Sequence, residues 1–239
     1  MQPSGMQYFP LAWPFLLALF ALFAIVVTMV EIGILRYAYE RMGIPPRYVL
    51  SILLLSLLGS AINIPVAQLR PERVVSGGVI SSHGVEYVVP VVRHWPATIV
   101  AVNVGGALIP VILSLYLMFK NRLFVRAVLA IAVVAVVTYG LATPVRGVGV
   151  TLPIFIPPIV ASLAGLVFGW RKAAPLAYIG GCLGTLIGAD VMNLSRIPGL
   201  GAPVASIGGA GTFDGVFLVG IVAVLLSPVA RPQKRYSRT

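Results

Sequence analysis

Two aspartates stand inside apolar sequence. Asp190 lies in Gly184-Thr-Leu-Ile-Gly-Ala-Asp-Val-Met-Asn193, and Asp214 closes the stretch Ser206-Ile-Gly-Gly-Ala-Gly-Thr-Phe-Asp-Gly215. A carboxylate at the centre of a membrane-spanning helix costs roughly 2.5–3.5 kcal/mol on insertion scales, so it marks function by default. Two such groups brought close share a proton and titrate as a unit. The ionised one then deprotonates water and the neutral one protonates a carbonyl oxygen or leaving group, which is aspartyl hydrolysis. The same pair equally suits a proton- or cation-coupled carrier, with asparagine amides completing the ion's shell. Asn193, one helical turn beyond Asp190, Asn63 in Ala61-Ile-Asn-Ile-Pro65 and Asn103 in Val102-Asn-Val-Gly-Gly-Ala-Leu-Ile-Pro110 are the amides available. In the hydrolase reading Asn193 orients one carboxylate.

The glycines before Asp214 sharpen the signal. Gly208, Gly209 and Gly211 permit positive φ and close approach of a backbone, and with Gly215 they frame the start of a helix whose N-terminus attracts an anion. Asp214 also fits the plain role of an N-cap, accepting backbone N–H bonds. The other acids need less. Glu40, Glu72 and Glu86 fall in loops or at helix ends, and Glu31 is close enough to Arg36 to pair or snorkel. No metal-ligand spacing and no cofactor motif is present: His83 reads as a polar turn residue, and Cys182 as a small buried hydrophobe that has no second cysteine to pair with.

These residues must be positioned by membrane-spanning elements. Of 239 residues 59% are hydrophobic and 10% charged, against about 25% charged in a soluble domain. A helix needs about 20 mostly apolar residues to cross the hydrocarbon core. Seven runs approach that length, at about 11–37, 47–65, 96–119, 123–143, 152–170, 174–194 and 212–230. The fold predicted is an all-α bundle of about seven transmembrane helices in a single domain over residues 1–239. Leu11 to Ile34 is too long for a signal-peptide core and lacks a basic leader, so it stays attached as the first span.

Of the 17 basic residues, 12 fall on one side of this alternation, while Arg70, Arg73, Arg93, Arg146 and Arg196 fall on the other. The richer side is expected in the cytoplasm, with the N-terminus outside and the C-terminus inside. This division also explains the net charge of +11, and the scattered basic residues give no nucleic-acid footprint. With a rise of about 1.5 Å per residue, Asp190 stands about 24 Å above the cytoplasmic start of its helix. Asp214, Asn193, Asn63 and Asn103 reach a similar outer depth, so a polar pocket open to the outside is expected.

The loop at about 70–93, rich in Val, Ile, Ser and Gly, is predicted as an extracellular β-hairpin. Gly180, Gly184 and Gly188, and likewise Ala161, Gly165 and Gly169, recur every fourth residue, the pattern of close helix packing. Pro153, Pro157 and Pro158 interrupt the start of the fifth run, and irregular backbone at that depth needs protein or a cavity around it.

Four motifs, Leu57-Leu-Gly-Ser-Ala-Ile-Asn-Ile-Pro65, Val102-Asn-Val-Gly-Gly-Ala-Leu-Ile-Pro110, Gly184 to Asn193 and Gly208-Gly-Ala-Gly-Thr-Phe-Asp-Gly215, resemble an archaeal and bacterial multi-pass membrane family, domain of unknown function 1614. The resemblance implies an integral membrane protein and brings no activity. More loosely, the aspartate pair resembles that of the presenilin and signal-peptide-peptidase type of intramembrane aspartyl protease. Ala189 stands where those proteins have Tyr, Gly211 is one position too far from Asp214, and no Pro-Ala-Leu motif follows. The expected partners are the lipid bilayer and either a transmembrane peptide or a small solute. Hydrolase, carrier and a purely structural role for the polar cluster all remain open to the sequence.

Overall fold

The computed structural model describes residues 13–69, 76–82, 85–92, 98–145, 149–197, 204–209 and 215–227. The chain is mostly helical. Helix α1 (Trp13–Arg41) is followed after a bend of 116° by α2 (Pro46–Gly59). Gly43 at φ +83° and the Pro45-Pro46 pair explain the break: the glycine takes the left-handed turn, and Pro46 sits in the first turn, where no helical N–H is needed. Helix α3 (Ile109–Asn121) turns directly into α4 (Phe124–Leu141) through Arg122, whose left-handed φ of 52° caps α3. Helices α5 (Ile156–Gly169), α6 (Ala173–Thr185) and α7 (Gly215–Leu226) complete the bundle.

Helix α6 is the axis. Small residues line it on several sides, and neighbours fit where a side chain would otherwise stand. A Cβ on Gly180 would lie 3.2 Å from that of Ala130, and one on Gly184 would strike Val134. Gly188 lies in the same way against Ala135 and Thr138, so the offset between the two helices stays constant and α4 and α6 run parallel. On another side Gly181 faces Ala161 and Gly165 faces Ala177, a falling against a rising number, so α5 and α6 form an antiparallel hairpin. Helix α7 is also antiparallel, with Gly220 against Tyr178 and the Cys182 thiol 3.7 Å from the Val216 carbonyl. The fourfold small-residue spacing thus serves helix packing, as expected. Along α6 only Leu183 is less than fully buried.

Among the described residues three stretches are long and apolar enough to span a membrane, fewer than the seven expected crossings: Val104–Asn121, Phe124–Leu141 and Ile156–Arg196, the last doubling back at Gly169. The bent pair of α1 and α2 adds a fourth if counted as one. The second apolar run is not helical throughout, because α2 ends at Gly59 and the chain becomes extended. The third run likewise begins as a strand. Strand β1 (Asn63–Gln68) pairs antiparallel with β4 (Ile99–Asn103), and β4 pairs in parallel with β7 (Val204–Ile207). Extended backbone is kept in this apolar sequence because the sheet satisfies its hydrogen bonds.

Between β1 and β4 lies the predicted hairpin. Strands β2 (Ser76–Ser82) and β3 (Val85–Val92) pair antiparallel, with Ser82 opposite Val85, and the turn bearing His83 is outside the described residues. A short ribbon, β5 (Thr143–Val145) with β6 (Gly149–Thr151), joins α4 to α5.

Candidate functional site

Three segments lose regular helical winding at the sheet-bearing end of the bundle. Strand β4 passes through Asn103 into a π-helical turn, Val104–Leu108, before α3 begins. Helix α6 ends in a second π-helical turn, Leu186–Asp190, followed by a 3-10 turn, Val191–Arg196. Strand β7 gives way after Ile207 to Gly208, whose φ of +79° only glycine adopts without strain. π-Turns inside helices concentrate at functional sites.

Asp190 and Gly208 join two of these segments. The Gly208 N–H donates to Asp190 Oδ2 at 2.8 Å, and the carboxylate is half-buried. On its other side Gly208 backs onto the third segment: a Cβ there would lie 2.7 Å from the Gly106 carbonyl and the Ala107 nitrogen. The bare backbone of one glycine therefore sits between the α6 carboxylate and the π-turn that opens α3.

The asparagines sit beside it, on strands. Asn63 and Asn103 are directly opposed in the β1–β4 register. Asn103 Nδ2 donates to the Ser60 carbonyl at 2.8 Å and to Asn63 Oδ1 at 3.2 Å, while Asn103 Oδ1 accepts from the Gly106 N–H at 2.8 Å. Ser206, on β7, donates its hydroxyl to the same Asn63 oxygen at 2.5 Å. Asn103 is 3% exposed and uses its amide to cap the π-turn, so its role is to hold backbone together. Asn63 is exposed. Gly209 packs against the Ser206 hydroxyl and leaves no room for a Cβ.

Asn193 departs from expectation. It is fully buried, and its Nδ2 turns back to the Gly188 and Ala189 carbonyls at 2.9 and 3.1 Å. Its Oδ1 accepts from Arg196 at 3.1 Å, and Arg196 also bonds the Tyr139 hydroxyl at 2.9 Å and stacks over that ring. It therefore orients the α4–α6 contact rather than the Asp190 carboxylate. The shared face assumed for the two residues rests on the 100° step of an α-helix, and that step fails where a π-turn passes into a 3-10 turn.

Of the residues singled out in the sequence, Asp190, Asn63, Asn103, Gly208 and Gly209 come together. Gly215 begins α7, whereas Asp214 and Gly211 lie outside the described residues. Ser60, Ser206, Tyr139 and Arg196 join the polar layer without having been expected as site residues. Ser206 had a signal, since it opens the glycine-rich motif; the Tyr139–Arg196 pair, 57 positions apart, had none. Among the described residues no three His, Cys, Asp or Glu side chains converge as metal ligands would.

No curated protein and no solved structure matches the chain. A family model described as "Protein of unknown function (DUF1614)" matches residues 57–226, from the end of α2 to the end of α7. That span holds the sheet, the glycine motif and Asp190 together, and the chain belongs to this family.

Proposed function

We propose that this chain is an integral membrane carrier or channel that binds a small cationic or polar solute beside Asp190. The observation that carries the reading is the half-buried Asp190 carboxylate at the unwound end of α6, held by the Gly208 N–H. Interrupted helices whose freed backbone groups surround a carboxylate are the usual construction of solute and ion sites within membranes. Asn63, exposed beside the carboxylate's backbone partner strand, supplies an amide at the entrance. The positive-inside rule puts this end on the outer side, with the N-terminus outside and the C-terminus cytoplasmic.

The test is uptake by purified protein in liposomes under an imposed proton, sodium or solute gradient. Asp190→Asn is close to isosteric and can still accept the Gly208 N–H, so the protein should stay folded while uptake falls at least tenfold. Undiminished uptake by this variant would remove Asp190 from the pathway.

A second reading is favoured by β1. This strand is an edge of the sheet and is exposed along its whole length, so an extended peptide has a place to add to the sheet whose other edge leads into the Asp190–Gly208 contact. In that reading Asp190 and Asp214 form an aspartyl hydrolase dyad. Cleavage of transmembrane peptides, abolished by Asp190→Asn and by Asp214→Asn separately, would establish it. Cleavage that persists in the double variant would rule the dyad out.

A further inference from the structure

The opposite end of the bundle carries a different chemistry. Arg41 ends α1, Lys120 lies in the last turn of α3, and Arg171 and Lys172 form the turn between α5 and α6. These four side chains and Asn121 line a cleft of about 270 Å³ that also opens on the first residues of α6. Among the described residues no carboxylate lines it. Arg41 donates to the Val224 carbonyl at 2.7 Å and to that of Ser227 at 2.5 Å; Lys120 donates to the Gly43 carbonyl at 2.6 Å, and Lys172 to Asn121 Oδ1 at 2.9 Å. These partners of Arg41, Lys120 and Lys172 are neutral, so they orient those three cations without cancelling their charge. Among the described residues the one ion pair, Arg36 with Glu40 at 2.9 Å, lies outside the cleft.

The cleft adjoins a mainly apolar groove. Arg171 lines both, and the groove, of about 600 Å³ and much more open, runs along Leu166, Val167, Phe168 and Trp170, with Arg126 as its other charged residue. Val167, on α5, is 75% exposed, and Trp170, in the turn that follows it, 63%. A free phosphate would use the cleft and leave the groove bare. A lipid would use both, because its charge and its chains are joined in one molecule. The end of the first span-length stretch, the start of the second and the turn within the third lie here, which is where headgroups lie if those stretches cross the bilayer.

We propose that this end binds an anionic phospholipid. Its phosphate sits among Lys120, Arg171 and Lys172, at the partially positive start of α6, and one acyl chain follows the groove past Val167 to Trp170. Trp170, at the join, has the amphipathic ring that suits the boundary between headgroup and chain. The inference is independent of any solute site at Asp190.

Native mass spectrometry of the full chain in detergent tests it, titrating dioleoyl phosphatidylglycerol, dioleoyl phosphatidylcholine and inorganic phosphate. The wild type should bind phosphatidylglycerol at least tenfold more tightly than phosphatidylcholine. Each neutralised lysine should weaken the anionic lipid about fivefold, so Lys120→Gln with Lys172→Gln reaches about 25-fold, while Arg47→Gln, outside the cleft, changes nothing. Lys172→Gln alone, at an exposed position, serves if the double variant does not fold. Val167→Asn should weaken the dioleoyl lipid but not its dihexanoyl analogue, whose chains are too short to fill the groove. Equal affinity for the two headgroups, or a preference retained by the lysine variants, would overturn the proposal. So would complete displacement of phosphatidylglycerol by millimolar phosphate with no dependence on chain length, which would identify a free-anion site instead.

Discussion

Gly208 and Asp190, eighteen positions apart, meet through a backbone N–H at 2.8 Å, and the same glycine lies so close to Gly106 that no side chain fits between them. One residue thereby fixes the distance between the unwound end of α6 and the π-turn before α3.

Gly208→Ala is accordingly expected to destabilise the fold. An L residue at φ +79° costs about 1 kcal/mol, and forcing a Cβ against the Gly106 carbonyl adds about 1–3 kcal/mol. Thermal unfolding in detergent, followed by tryptophan fluorescence, should show a lower midpoint. Gly140→Ala is the control: nothing lies within 4 Å of its missing Cβ, and alanine is the better helix former, so its midpoint should hold or rise.

Asn103→Ala should cost about 2–4 kcal/mol, because it deletes three hydrogen bonds and leaves the buried Gly106 N–H without its acceptor. Asn63→Ala, at an exposed position, should cost about 1 kcal/mol or less. The two share a hydrogen bond, so the double variant should be non-additive by about 0.5 kcal/mol or more in chemical unfolding. Strict additivity would mean that the opposed pair does not interact.

Gly184→Leu should separate α4 from α6. A Cβ there lies 2.6 Å from that of Val134, and the further carbons of leucine would have to displace a helix that is buried against it. A loss of about 1–3 kcal/mol or outright misfolding is expected, read as aggregation on size-exclusion chromatography. An unchanged monodisperse profile would contradict the parallel α4–α6 packing.

The two ends of the bundle should label from opposite sides of the membrane. In a Cys182→Ala background, Ser81→Cys in β2 should react with an impermeant maleimide added outside intact cells, and Lys172→Cys only after permeabilisation. The reverse pattern would invert the orientation drawn from the 12-to-5 distribution of basic residues.

Some of this architecture is legible residue by residue. The hairpin at β2 and β3 is local: two runs rich in Val, Ile and Tyr, broken by Ser-Ser-His-Gly, point to a turn between two strands. The small-residue repeats of α5 and α6 likewise announce close packing before any partner is known. Asn63 and Asn103 were legible as polar outliers but not as strand residues, because their apolar surroundings match a helix as well as a buried strand.

By itself, then, the sequence determined that the chain is apolar enough for a bilayer, that its basic residues gather between alternate runs, and that Asp190 and the glycines after Ser206 are out of place in such runs. Those properties are written in composition and short-range spacing. Only the tertiary structure decided that Ala101 pairs with Ser206 across a parallel ladder, that α6 lies parallel to α4, and that the unwound end of α6 meets Gly208. The physical reason is that each of these contacts joins segments distant in the chain. Their pairing is selected by which backbones can approach closely and satisfy one another's hydrogen bonds, a property of the whole packed bundle that no local period encodes.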